Sequence, residues 1–222
     1  MEAALRGLRT MLRSSTALLG AVFVVSCAPV STTPSALPTG VIAGKPSFYP
    51  QEAGLSWIYL KEGASVDQPK FTLTVHGPTV FDGETLTESS LIGLGSNYLY
   101  YRDYRDGVHL HARVSPRIVD VRYSPPIEEY PPQNQLKVGA TWSGHSKVTV
   151  SGVQVQTLDL DYTYVVLDKQ QFKIGDTVYD TFLINAQSKL SSGESSVQTI
   201  RFTPNVGEVR TQEGLVLLGK SF

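Results

Sequence analysis

From about residue 46 onward, apolar and polar residues alternate along most of the chain with a period of two. Phe71-Thr72-Leu73-Thr74-Val75-His76 and Leu158-Asp159-Leu160-Asp161-Tyr162-Thr163-Tyr164 alternate strictly, while Val148-Thr149-Val150 and the run from Val178 to Ile184 are rich in strand formers. Every second residue of a strand projects from the same side, so each run predicts a sheet with one apolar face. No 3.6-residue stripe long enough for an amphipathic helix interrupts them. Asp82-Gly83, Asp106-Gly107, Ser151-Gly152, Gly175-Asp176, Ser192-Gly193 and Glu213-Gly214 punctuate the runs at hairpin spacing. The pattern predicts an all-β, antiparallel fold, either a β-sandwich or a strongly curved half-barrel. Val153 and Val155 stand out of phase with Leu158 and Leu160, which predicts a bulge near Thr157.

A weak repeat overlies this pattern. Gly54-Leu55-Ser56-Trp57 recurs as Gly139-Ala140-Thr141-Trp142, each behind a Pro-Gln pair, Pro50-Gln51 and Pro132-Gln133. It predicts two related halves, about 46–130 and 131–222, with Trp57 and Trp142 buried at equivalent strand starts. The run from Ser124 to Pro132, with four prolines, reads as an extended connector or edge segment, because proline cannot donate to a sheet ladder. The Gly-x-Ser/Thr-Trp segments, taken with Phe202-Thr203-Pro204-Asn205-Val206-Gly207-Glu208-Val209-Arg210, resemble a loose group of uncharacterised bacterial envelope proteins. That resemblance implies a β domain in the envelope and carries no activity with it.

The first 45 residues follow other rules. Ala28 to Lys45 is rich in Pro, Ser and Thr without hydrophobic periodicity, and reads as a flexible tether. Ahead of it, Arg6, Arg9 and Arg13 form a basic region, Ala17 to Val25 an apolar one, and Ser26 a small residue before Cys27, the only cysteine of the chain. The apolar run is too short for a spanning helix, which needs ~20 residues. Val24-Val25-Ser26-Cys27 resembles the lipobox of bacterial lipoproteins, a likeness covering residues 1 to about 30. It implies that residues 1–26 are a signal peptide, that Cys27 carries diacylglycerol and palmitate-like acyl chains, and that 27–45 tether the domain to a membrane. Ala28 and Pro29 lack the acidic residue that retains many lipoproteins on an inner membrane, which favours an outer membrane where one is present. Met11 offers a second start.

Composition removes several functions. The part after residue 26 carries 16 basic and 19 acidic residues, a formal charge of −3, so no basic surplus argues for nucleic acid as a partner. Without a second cysteine the domain has neither internal disulfides nor a thiolate zinc site, and no cofactor is expected.

Candidate chemistry concentrates in one hairpin, residues 98–114, turning at Asp106-Gly107. With a two-residue loop, Tyr104 opposes His109, and Tyr98, Tyr100, Arg102, Tyr104, His109, His111 and Arg113 share a face suited to glycan or anionic lipid headgroups. With a three-residue loop, Tyr104 opposes Val108 and the tyrosines line the core, since a one-residue shift reverses every side chain. Val108, Leu110, Ala112 and Val114 are expected as a core-facing row, with His109, His111 and Arg113 facing away. His109 and His111 at i and i+2 could grip a metal, but Arg113 on the same side repels a cation, and no metal site is expected. The pairs Asp159/Asp161 and Glu128/Glu129 lack a partner base, Gly93-Leu94-Gly95 lacks a following helix, and His145-Ser146 lacks a nucleophile elbow. No catalytic residue is assigned. The expectation is a lipid-anchored envelope protein with a non-catalytic binding or structural role toward a glycan, lipid or protein. The alternative is a carrier that holds a hydrophobic ligand such as lipid in a curved-sheet cavity.

Overall fold

The computed structural model describes residues 46–222; Cys27, the signal segment and the tether lie outside the described residues. Twelve strands follow one another: β1 (Ser56–Lys61), β2 (Phe71–Phe81), β3 (Glu84–Gly93), β4 (Ser96–Asp103), β5 (Val108–Ser115), β6 (Val119–Tyr130), β7 (Thr141–Ser151), β8 (Val155–Ile174), β9 (Thr177–Leu190), β10 (Ser195–Thr203), β11 (Gly207–Arg210) and β12 (Leu215–Lys220). Each pairs antiparallel with its neighbours in sequence, and β1 closes the circle against β12, from Trp57 opposite Lys220 to Lys61 opposite Leu215. The all-β antiparallel expectation holds, but the architecture is a closed barrel, neither a sandwich nor a half-barrel. Alternation tells which side of a strand is apolar; whether the first and last strands meet depends on accumulated twist, and meeting removes two unpaired edges.

The alternation resolves into lumen and exterior. On β7 and β8, Trp142, Ser146, Val148, Leu160, Tyr162, Tyr164 and Val166 are buried, while His145, Lys147 and Asp161 face solvent. On these two strands the apolar side faces the lumen and the polar side the exterior. Glycine provides room where an aromatic needs it: a Cβ on Gly144 would stand 2.5 Å from Cζ of Tyr162, its partner across the ladder.

The two tryptophans sit as the second residues of β1 and β7, six strands apart, both buried. The backbone around them matches as well. Gly54 donates to Val75 and Val75 to Leu55, as Gly139 donates to Val166 and Val166 to Ala140; Leu55 donates to Glu52 as Ala140 does to Lys137. Both glycines have φ near +85°, at +91° and +82°, where side chains are strained.

Three local expectations are corrected. The β7–β8 ladder runs without a shift from Ser151/Val155 to Thr141/Val165, so no bulge stands near Thr157; Val153 and Val155 are simply exposed at the hairpin tip, and the irregularity of β8 falls at Val166–Asp168. The Ser124–Pro132 segment is not a connector, since its residues up to Tyr130 belong to β6. Pro125 and Pro126 are tolerated because the β5–β6 register skips from Leu110/Ile127 to Ala112/Arg122, leaving no rung there for their missing N–H to break. The row Val108, Leu110, Ala112, Val114 splits: the first two face the lumen, the last two an outer cluster in which Phe81 stacks on Tyr101 at 3.9 Å.

Hairpin connectivity gives the barrel two ends. At the end where β1 starts and β12 finishes, residues 46–50 strap across the mouth. Asn205 holds the carbonyls of Pro46 and Phe48, Tyr49 donates to Pro131 at 2.6 Å, and Tyr49, Tyr130 and Phe202 pack with ring centroids 4.9–5.5 Å apart. The far end carries the β1–β2, β3–β4, β5–β6, β7–β8, β9–β10 and β11–β12 turns.

Candidate functional site

The residues gathered in the sequence into one binding face are divided by the sheet. Asp103 pairs with His109, the register of the three-residue loop in which Tyr104 opposes Val108, and Tyr100 and Tyr104 turn inward. One residue later the pairing skips His111, because Tyr101 opposes Ala112 and Arg102 opposes Leu110. A bulge of one residue exchanges the faces of everything beyond it. Tyr100, Arg102, Tyr104 and Arg113 therefore belong to the lumen, while His111 stays with Glu84, 3.6 Å away, and partial burial lowers its pKa. His109 lies across from Asp103 at the other side of the ladder, so the six candidates do not form a common surface.

The lumen divides into two compartments that share Gln212. The one beneath the strapped end holds a cluster of polar groups among apolar walls. Arg102 grips Glu129 with two nitrogens, at 2.6 and 3.3 Å, and reaches Ser89 at 3.3 Å; Tyr130 donates to a carboxylate oxygen of Glu208 at 2.6 Å, and Tyr59 donates to the Glu208 backbone carbonyl at 2.8 Å. Burial raises the Glu208 pKa to about 8 against the opposing pull of the Tyr130 hydrogen bond, so at neutral pH this carboxyl is largely protonated. A cavity of about 120 Å³ remains among these groups.

The compartment toward the far end is apolar. Val121, Ile127, Val148, Leu158, Leu160, Ala186 and Leu190 wall a cavity of about 90 Å³, with the rings of Tyr123, Tyr162 and Tyr164 among them. By the volume a buried water requires, the space would hold roughly six to nine waters, yet its walls offer few polar partners. Its lining continues to Ser195, exposed at the start of β10. Around that end the turns carry exposed apolar residues: Val66 between β1 and β2, Leu94 between β3 and β4, Ile118 between β5 and β6, and Val153 between β7 and β8.

The only cation lining this apolar compartment is Arg113. It is 5% exposed, its guanidinium lies 3.9 Å over the Tyr98 ring and 5.6 Å from that of Tyr100, and among the described residues neither Nε nor Nη1 has a hydrogen-bond partner.

No protein-family model, curated protein or solved structure matches the chain.

The chain's own geometry therefore carries the functional argument. The lumen borders an apolar space with a buried guanidinium two of whose nitrogens have no hydrogen-bond partner; among the described residues no group of three metal-ligating side chains comes together. The paired carboxylates separate in role. Asp159 and Asp161 sit outside, bracketing His145 at 3.5 and 2.9 Å, and Glu129 is the counter-ion of Arg102. Sequence reasoning missed Glu208, Gln212 and Glu213. They lie on or just after the four-residue β11, too short to show a period, and only the Gly207 and Gly214 that bracket the hairpin mark it.

Proposed function

We propose that the protein is a lipid-anchored, non-catalytic carrier of the bacterial cell envelope that holds a small hydrophobic molecule in the far-end compartment of its barrel. The observation that carries this reading is the apolar cavity of about 90 Å³ walled mainly by β6 to β9, in a barrel whose other end is crossed by residues 46–50. A purely structural module has no need of unfilled apolar volume, which forfeits dispersion contacts along its whole lining. The exposed apolar turn tips surround the same end, the arrangement expected of a mouth that exchanges its ligand with a lipid surface. Cys27, with its acyl chains, keeps the domain beside that surface, each buried methylene contributing ~0.8 kcal/mol.

Solvent extraction of the purified full-length protein followed by mass spectrometry should release a hydrophobic molecule in near-stoichiometric amount. Ala186→Phe, which projects a ring into the cavity, should cut that yield about tenfold while overpacking costs ~1–3 kcal/mol of stability. A ligand-free wild-type protein that also fails to take up a hydrophobic probe would end the carrier reading. The anchor is tested separately. Intact mass of the membrane-extracted protein should correspond to residues 27–222 plus acyl chains, and Cys27→Ser should accumulate precursor; an unmodified terminus elsewhere overturns the anchor.

A further inference from the structure

We propose that the lumen ligand is an amphiphile with one oxyanion head group, a carboxylate or phosphate, bound by Arg113, and a single short apolar chain lying in the β6–β9 compartment; this rests on the carrier reading above.

Arg113 owes its position to the bulge at His111. In a regular β5 it would stand on the exterior with His109 and His111; the extra residue turns it into the lumen and sends Ala112 outward. An arginine brought inside a barrel is expected to find a carboxylate, because an unpaired buried charge is strongly unfavourable. Arg102, one strand away, obeys that rule with Glu129. Arg113 does not. Among the described residues no carboxylate oxygen lies within 4.0 Å of it, and two of its nitrogens point at no acceptor. The Tyr98 and Tyr100 faces ease its burial, but a ring face replaces neither hydrogen bond. Of the lumen acids, Glu129 is engaged by Arg102, and Glu208 holds a proton near neutral pH and is bonded to Tyr130. Glu213 acts on Arg113 through space without forming an ion pair.

The surroundings specify the remainder of the ligand. The guanidinium stands at the border of a space walled by Val121, Ile127, Val148, Leu160 and Leu190, so a molecule that satisfies the guanidinium must extend an apolar body away from it. Guanidinium pairs with planar or tetrahedral oxyanions through parallel N–H donors, and it rejects amines and quaternary ammonium groups by charge. A neutral alcohol of the same length gains the cavity but leaves the charge uncompensated.

The test compares head groups on one chain. Full-length protein in phosphatidylcholine nanodiscs is titrated calorimetrically with hexanoate, hexyl phosphate, 1-hexanol and hexyltrimethylammonium, chains short enough for the cavity of about 90 Å³, empty discs being subtracted. Hexanoate or hexyl phosphate should bind about tenfold or more tightly than hexanol, hexyltrimethylammonium least, and the tighter of the two anions identifies the head group. Arg113→Met should abolish the anion-over-alcohol ratio, and Arg113→Lys, which keeps a point charge, should retain part of it. Equal binding of hexanoate, hexyl phosphate and hexanol by the wild type overturns the assignment to Arg113 while leaving the carrier reading intact, as does a preference that survives in Arg113→Met. Absence of binding by all four overturns both. The wild-type comparison decides the matter even if a variant fails to fold.

Discussion

Trp57→Ala and Trp142→Ala are each expected to destabilise the barrel by about 3–5 kcal/mol, among the largest losses any single truncation here should produce. Trp57 is 3% exposed and Trp142 8%, and each indole is fixed by more than burial. Trp57 donates to the Val206 carbonyl at 2.6 Å and meets Phe222 edge-on; Trp142 donates to the Glu128 carbonyl at 3.0 Å and stacks on Tyr164, 5.2 Å away and 7° from parallel. Each also sits where a glycine of positive φ delivers the chain into a strand, so neither site can collapse without moving a ladder end. Phenylalanine at either position should retain most of the packing and lose the indole hydrogen bond, costing ~1–3 kcal/mol for the carbonyl left unsatisfied. Urea unfolding followed by the fluorescence of the remaining tryptophan measures both series. A loss below about 1 kcal/mol for either alanine variant would mean that ring is not part of the core.

The sequence reached the strands but not their closure, for a physical reason. Alternation in Leu158 to Tyr164 or Val148 to Val150 fixes which side chains are inside, and those residues are inside. Nothing local in residues 56–61 or 215–220 encodes that these strands pair with each other, since that depends on twist summed over all twelve. The site was legible to the same degree. Tyr100, Arg102 and Arg113 were grouped on one binding face, but the direction of the first two hung on the length of the hairpin loop and that of Arg113 on one bulged residue, His111, with no mark in the sequence such as a glycine. The same parity logic explains Val153 and Val155. Their phase error is no bulge; a hairpin tip at the rim has no core to face.

Raising the pH from about 4 to 8 should weaken the fold through Glu208, and Glu208→Gln should remove that weakening. Burial lifts the Glu208 pKa from its ordinary carboxylate value to about 8, with Glu213 and Glu129 adding in the same direction and Tyr130 and Arg102 opposing. Between ~4.3, the value in the unfolded chain, and about 8, the folded protein holds a proton that the unfolded chain releases. Stability therefore falls as pH rises across this window, by at most ~1.4 kcal/mol per pH unit and ~5 kcal/mol in all, and it levels off above the folded pKa. Glutamine keeps the shape and accepts from Tyr130 without titrating, so its advantage over the wild type should be small near pH 4 and grow toward pH 8. Urea midpoints of both proteins at unit pH intervals give the difference directly. Tyr130→Phe supplies the converse, because removing the donor that favours the carboxylate form should raise the Glu208 pKa and extend the declining window to higher pH. A difference between wild type and Glu208→Gln that stays constant from pH 4 to 8 would show that Glu208 is ionised in the folded barrel across that range.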